Sequence, residues 1–235
     1  MKPKGSSFFW PSFADLMTSL FFIMLVLYVL TFLMLKKKEK ELVNTVADLK
    51  HKLEVYDEVE SNLKPLKQDT LLFKYEEKYK RFILAFESNF EPSKFRIEKG
   101  ELQNYDITSK KIQSVGIQLQ KTIDNLAKNK LQNPAMSNVS YLVIISGYAS
   151  HLLNGTELSD YELSYKRAYN LWEYWKNIGI DFEADKYKGL IDLQISGNGW
   201  GGVGRYERDP EKFMKNESKN QRFIIQIIPK IGNTN

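Results

Sequence analysis

The chain has 235 residues and a formal net charge of +5, an excess spread over Lys-rich stretches and not gathered into a nucleic-acid-binding arm. Cysteine is absent, which removes disulfides, thiolate zinc sites and thiol nucleophiles. His51 and His151 are too few for a histidine-rich metal site, so enzyme readings start weak and no cofactor is expected.

From Phe13 to Leu35 the only side chain charged at neutral pH is Asp15. At about 1.5 Å per residue this run spans the roughly 30 Å hydrocarbon core of a bilayer. It is too long for a signal-peptide core, and no small-residue cleavage site follows it. The expectation is one retained transmembrane helix over 13–35, preceded by a short segment, 1–12. A carboxylate within such a helix is costly and ordinarily faces a partner or an aqueous path. The alternative places Asp15 at the membrane surface, capping the first helical turn as Ser12 also could. Lys36, Lys37, Lys38 and Lys40 follow the run, against Lys2 and Lys4 before it. By the positive-inside rule that balance puts the C-terminal portion in the cytoplasm.

In the stretch 36–66, Leu42, Leu49, Tyr56 and Leu63 continue a seven-residue spacing from Leu35, joined by Val46 and Leu53. That is the seam of a coiled-coil-like stalk, and it favours a homodimer. The other possibility is an amphipathic helix lying on its own domain or on the membrane surface. Pro65 is expected to end or bend the helix. Leu72, Tyr75, Tyr79, Phe82, Ile83 and Phe86 recur at spacings of three and four, which predicts a helical connecting segment over 67–92.

From Phe95 the alternation through Gly100 predicts the start of a strand, with Tyr105 and Ile107 as its continuation. A helix around Ile112–Leu126 is stopped by Asn133-Pro134. Tyr141–Ile145 reads as a buried strand closed by Ser146-Gly147. A helix from about Ser159 to Ile178 should end at Gly179, a left-handed cap. Leu190–Ile195 and Phe223–Ile228 are further strands, with a long loop over 197–220. The order predicts an α/β sandwich with helices on one face of a sheet. Gly197, Gly199 and Gly202 match the spacing of a dinucleotide fingerprint. The Val203–Pro210 stretch that follows breaks helices, so turn glycines are the better account.

Trp10-Pro11-Ser12-Phe13-Ala14-Asp15-Leu16-Met17-Thr18 resembles the signature of the OmpA/MotB family, in whose stator subunits the aspartate carries the ion. A second resemblance covers about 95–230. Ser146-Gly147-Tyr148-Ala149-Ser150, Leu163-Ser164-Tyr165-Lys166-Arg167-Ala168, Gly197-Asn198-Gly199 and Asn220-Gln221-Arg222 are similar to the OmpA-like pattern. The resemblance implies an OmpA-like peptidoglycan-binding domain over 93–230, with 231–235 as a tail. It also implies a short cytoplasmic N-terminus, a periplasmic domain anchored in the bacterial inner membrane, and a MotA-like ring-forming partner.

By position the ion-carrying residue is Asp15, carrying H+ or Na+. The wall-binding set is Ser150, Asp160, Leu163, Arg167 and Arg222. Ser150 stands where the family has an aspartate and supplies no charge, so Asp160 or Asp192 is a candidate for the missing acid. Arg167 suits a carboxylate by a two-pronged bond, or else pairs with Asp160 or Glu162 at the helix start. The implied function is that of a MotB-like stator subunit of an ion-driven motor, similar to flagellar stators and phage-defence relatives. The alternatives are a passive cell-wall tether, or a signalling or transport subunit that does not grip the wall.

Overall fold

The computed structural model describes residues 9–150, 156–202, 204–206 and 213–232. The expected N-terminal segment up to residue 8 and the tail from 233 lie outside them. The chain forms two units, Met1–Lys52 and Leu53–Asn235.

Helix α1 runs Phe9–Gln68. Its first part is long and apolar enough to cross a membrane, with a mean hydropathy of 2.5 over its most apolar window. Pro65 does not end the helix, which continues to Gln68. In the last turn, proline's missing N–H removes only one helical bond, and Asp69 N closes the end on Pro65 O at 3.2 Å. Leu42, Leu49 and Tyr56 are exposed, whereas Val55, Val59, Leu63 and Leu66 are buried in the core of the second unit. Within that unit the helix therefore presents a face to its own domain, and the seven-residue seam is interrupted at Leu63.

The segment 67–92 is not a connecting helix. It forms β1 (Phe73–Glu76), a short 3-10 turn (Glu77–Tyr79) and β2 (Arg81–Leu84), paired as an antiparallel hairpin. Tyr75 and Phe82 fit both periods, since each also alternates with a further apolar residue, Phe73 and Leu84 respectively. Pairing of Phe82 with Ile225 of the last strand settles the choice. The stretch after Phe95 is likewise no strand. It is a looped segment held by Phe95 N and Arg96 N donating to Glu101 Oε2 at 3.3 and 2.8 Å. Tyr105 and Ile107 belong instead to α2 (Tyr105–Gln132), which stops at Asn133 as expected.

There follow β3 (Val139–Gly147), α3 (Glu157–Asn177), β4 (Ile191–Gly197), α4 (Phe213–Asn220) and β5 (Phe223–Ile231). Helix α4 stands at the end of the expected loop over 197–220; its eight polar-rich residues lack the long apolar period that marks a helix in sequence. Among the described residues the strands make one sheet of order β1-β2-β5-β3-β4, with only β3 and β4 parallel. One row of paired residues, Tyr75, Phe82, Ile225, Ile145 and Ile195, crosses all five strands. It belongs to a core shared with α2, α3 and the end of α1. Val55, Val59, Leu63 and Leu66 of α1 lie in this core and β1 and β2 join the sheet, so the compact unit begins at Leu53, ahead of the expected start at 93.

Trp175 of α3 is sealed in that core and donates from Nε1 to Ile112 O at 2.8 Å. Thr156 and Ser159 form a reciprocal capping box at the start of α3, and Gly179 follows its end at φ +86°. Gly147 and Gly197 let α3 lie directly on the sheet. A Cβ at Gly147 would sit 2.1 Å from Ser164 O, and one at Gly197 2.6 Å from Tyr165 N. That contact brings Ser164 and Arg167 to the C-terminal ends of β3 and β4.

Candidate functional site

The expected wall-binding residues gather around the segment Tyr148–Ser150, which leaves the end of β3. Tyr148 N donates to Arg222 O at 3.0 Å, so the starts of β5 and of this segment are tied together. The Tyr148 carbonyl accepts from Arg167 Nη1 at 3.4 Å, and its hydroxyl from Arg81 Nη1 at 3.5 Å. The Arg222 guanidinium lies over the Tyr148 ring at 4.9 Å. Ser150 Oγ accepts from Gln221 Nε2 at 3.2 Å, and Gln221 Oε1 accepts from Phe90 N at 2.8 Å.

Arg167 is 2% exposed. Besides the Tyr148 carbonyl, its Nε donates to Lys94 O at 3.1 Å, and the guanidinium stacks on Phe90 at 4.6 Å. Burial pulls its pKa down to about 10, partly opposed by the negative charge of Asp160. Asp160 is itself 3% exposed. Glu162 pairs with Lys166 at 3.8 Å and not with Arg167. Leu163 is half-buried beside them. Asp192 is not brought to the site: it lies on β4 opposite Leu142 and holds Lys230 Nζ at 2.8 Å. The acid nearest in charge to Arg167 is therefore Asp160.

Two arginines at the site carry no signal in local sequence, and a third contributor, Asn220, does. Arg81, from β2, is fixed by Glu76 at 2.6 Å. Arg205 Nη2 donates to both carboxylate oxygens of Glu217, at 2.6 and 2.7 Å, and its Nη1 also meets the carbonyls of Trp200 and Ala149. Asn220 exchanges bonds with the backbone of Tyr206, its Oδ1 accepting from Tyr206 N at 2.9 Å. Asn220 differs from the two arginines in that it belongs to the Asn220-Gln221-Arg222 match in the sequence. Burial, and then the charge of Arg81, hold the Arg222 pKa below its ordinary value, with Tyr148 and Glu76 opposing. Arg222 lines a cavity of about 450 Å³ with Lys74, Glu76, Tyr206 and Lys219.

In the first unit, Asp15 lies inside α1, beyond the first described turn, so it is not the helix's N-cap. Thr18 Oγ1 bonds back to Ala14 O at 2.7 Å, leaving that hydroxyl occupied by the backbone. Among the described residues no cluster of acid, His or Cys side chains forms a metal site.

No family model and no curated protein matches the chain. Among solved structures it is similar to the periplasmic domain of Helicobacter pylori MotB, at 16% identity, covering 68% of this chain and 88% of that one, with a TM-score of 0.33. A putative MotB-like protein from Desulfovibrio vulgaris is similar at 14% identity, over 75% and 93% of the two chains, with a TM-score of 0.37. An OmpA-like domain from Francisella tularensis is similar at 18% identity, over 68% and 82%, with a TM-score of 0.35. Identities and TM-scores this low assign the chain neither a family nor a function.

Proposed function

We propose that this chain is a MotB-like stator subunit of an ion-driven motor in the bacterial inner membrane. Helix α1 crosses the bilayer once, with the α/β unit in the periplasm. Asp15 carries H+ or Na+, and its change of charge alters how the helix packs against a MotA-like ring of partner subunits. Two copies pair inside the ring, while the α/β unit grips peptidoglycan so that the ring turns against a fixed point. Ser150, Asp160, Leu163, Arg167 and Arg222 form the wall-binding site. In it, Arg222 attracts a stem-peptide carboxylate, Arg167 holds the Tyr148–Ser150 segment through the Tyr148 carbonyl, and Ser150 accepts a hydrogen bond from an ammonium group.

One observation carries this reading: Asp15 is the only charged side chain in the apolar part of α1, and it sits where it cannot be a helix cap. An isolated span gives such a carboxylate no shelter and no ion path, so the reading requires a partner. The test is Asp15→Asn in the full-length chain. The variant is expected to insert and assemble at the wild-type level and to lose ion-coupled output completely. Retained ion-coupled output would remove Asp15 as the ion carrier, and a wild-type chain with no such output, whose wall attachment the substitution leaves unchanged, would be a passive wall tether. Co-purification from detergent with single-particle imaging tests the partner: two copies within a ring of a second membrane protein are expected, and a lone monomer or dimer would overturn the motor.

A further inference from the structure

The apolar run of α1 ends at Leu35, and the residues that follow are Lys36, Lys37, Lys38, Glu39, Lys40 and Glu41. All of them are exposed on the uninterrupted helix. Lys36 Nζ is held by Glu39 Oε2 at 2.8 Å, whereas Lys37, Lys38 and Lys40 have no hydrogen-bond or ion-pair partner among the described residues. No further charge occurs before Asp48. The lysines form a compact collar directly after the apolar span, and no other part of the described chain engages the last three.

At 3.6 residues per turn, the four lysines point over about 200° of the helix circumference. Lys37 and Lys40 lie about 150° from the mean direction of Leu42, Val46 and Leu49. Pairing of two copies along that apolar seam leaves the collar facing outward. A single protein surface meets a helix on one side. A bilayer meets a spanning helix on every side, with its phosphates just beyond the hydrocarbon. Lysine is suited to that level, because its stem lies along apolar surface while its ammonium stays in the polar layer. Clustered lysines next to a span are the arrangement that attracts anionic headgroups.

The orientation adds a second argument. With the α/β unit in the periplasm, the collar stands on the side where positive charge is disfavoured, against only Lys2 and Lys4 on the other. Attraction to negative headgroups on that side offsets the disfavoured placement. We propose that the Lys36–Lys40 collar binds anionic phospholipid headgroups in the leaflet at the C-terminal end of the span. The ammonium groups of Lys37, Lys38 and Lys40 meet the lipid phosphates. A headgroup with its own ammonium is the poorer ligand, because that group repels the lysines. The inference rests on the reading of α1 as a membrane span and not on the ring. A ring that encloses the span has to displace these lipids, so the site belongs to the chain before such assembly.

The test is native mass spectrometry of the full chain in detergent, with phosphatidylglycerol or phosphatidylethanolamine added at equal concentration. The wild type is expected to retain phosphatidylglycerol with about a tenfold preference. Lys37→Gln/Lys38→Gln/Lys40→Gln should lose the preference, and Lys37→Arg/Lys38→Arg/Lys40→Arg, which keeps the charge, should retain it. The unfolding midpoint of the α/β unit should stay unchanged in both variants. Equal retention of the two lipids by the wild type, or an undiminished preference in the glutamine variant, overturns the proposal. So does a chain without preference whose glutamine variant loses a co-purifying ring protein, because the collar then meets an acidic rim. Alkaline carbonate extraction of membranes separates the two readings. A chain that washes off removes the span, and one that stays but shows no lipid preference removes the collar alone.

Discussion

Up to Lys52, helix α1 leaves Leu16, Phe22, Met24 and Leu33 more than half exposed, whereas in the unit from Leu53 onward Phe73, Tyr141, Ile145 and Trp175 are sealed from solvent. The two units also differ in how they treat a charged side chain on a helix. In the second, Arg167 is surrounded by acceptors supplied by the chain itself, namely Lys94 O, Tyr148 O and the charge of Asp160. In the first, Asp15 has no hydrogen-bond or ion-pair partner among the described residues. A buried charge that the fold satisfies serves the fold. Asp15 is exposed in the structure, and the ion-carrying role and ring proposed for it rest on the reading of its helix as a membrane span, within which a carboxylate calls for a partner from outside the chain.

The contrast breaks if the two charges respond alike to removal. Arg167→Ala leaves two backbone carbonyls without donors and Asp160 without its counter-charge, so the expected loss is about 3–5 kcal/mol in the unfolding of the α/β unit. Asp15→Asn should move the same transition by less than about 0.5 kcal/mol while abolishing ion-coupled output. Calorimetric or circular-dichroism melting of both variants decides this; equal shifts would mean that Asp15 is structural. The comparison also bears on wall binding, since a failed sacculus pull-down by Arg167→Ala counts only if that variant is still folded.

A smaller effect sharpens the account of how α3 delivers Arg167. At Gly147→Ala the new Cβ would meet Ser164 O at 2.1 Å, backbone against methyl, and neither side can rotate away. Helix α3 must lift from β3, at a cost of about 1–3 kcal/mol. Because Arg167 rides on that helix, its bond to the Tyr148 carbonyl should weaken as well. Amide hydrogen exchange around Tyr148 would show the change, and unaltered protection there would mean that the helix does not hold the segment.

The central elements of the second unit were legible in sequence because their signals are local. Tyr141–Ile145 is a branched apolar run, Asn133-Pro134 stops α2, and Gly179 ends α3. The β1–β2 hairpin was not legible, because Tyr75, Phe82 and their neighbours satisfy helical and extended spacing equally. The deciding contact, Phe82 with Ile225, is remote in the chain. Arg167 illustrates the same limit at the site. Its position in the motif was readable, but its bonds to Lys94 and Tyr148 carbonyls depend on loops that no periodicity places. Arg81 and Arg205 were missed for that reason, since neither belongs to a local pattern.

The loop that carries Lys94 provides the last test. Burial alone would raise the Glu101 pKa, but the amides of Arg96 and Phe95, with Lys94 Nζ 3.5 Å away, outweigh it and hold the carboxyl below its ordinary value. A group whose pKa is lower in the folded state stabilises the fold above its unfolded value of about 4.3, and that contribution is lost as pH falls through the folded value. Glu101→Gln keeps an acceptor but not the charge, so stability near neutral pH should drop by about 1 kcal/mol. Below about pH 4 the variant's acid limb should be flatter than the wild type's. Melting midpoints measured from pH 2 to 7 test both statements. Parallel curves would mean that the loop is held by its backbone alone, and that the Lys94 carbonyl reaches Arg167 without help from Glu101.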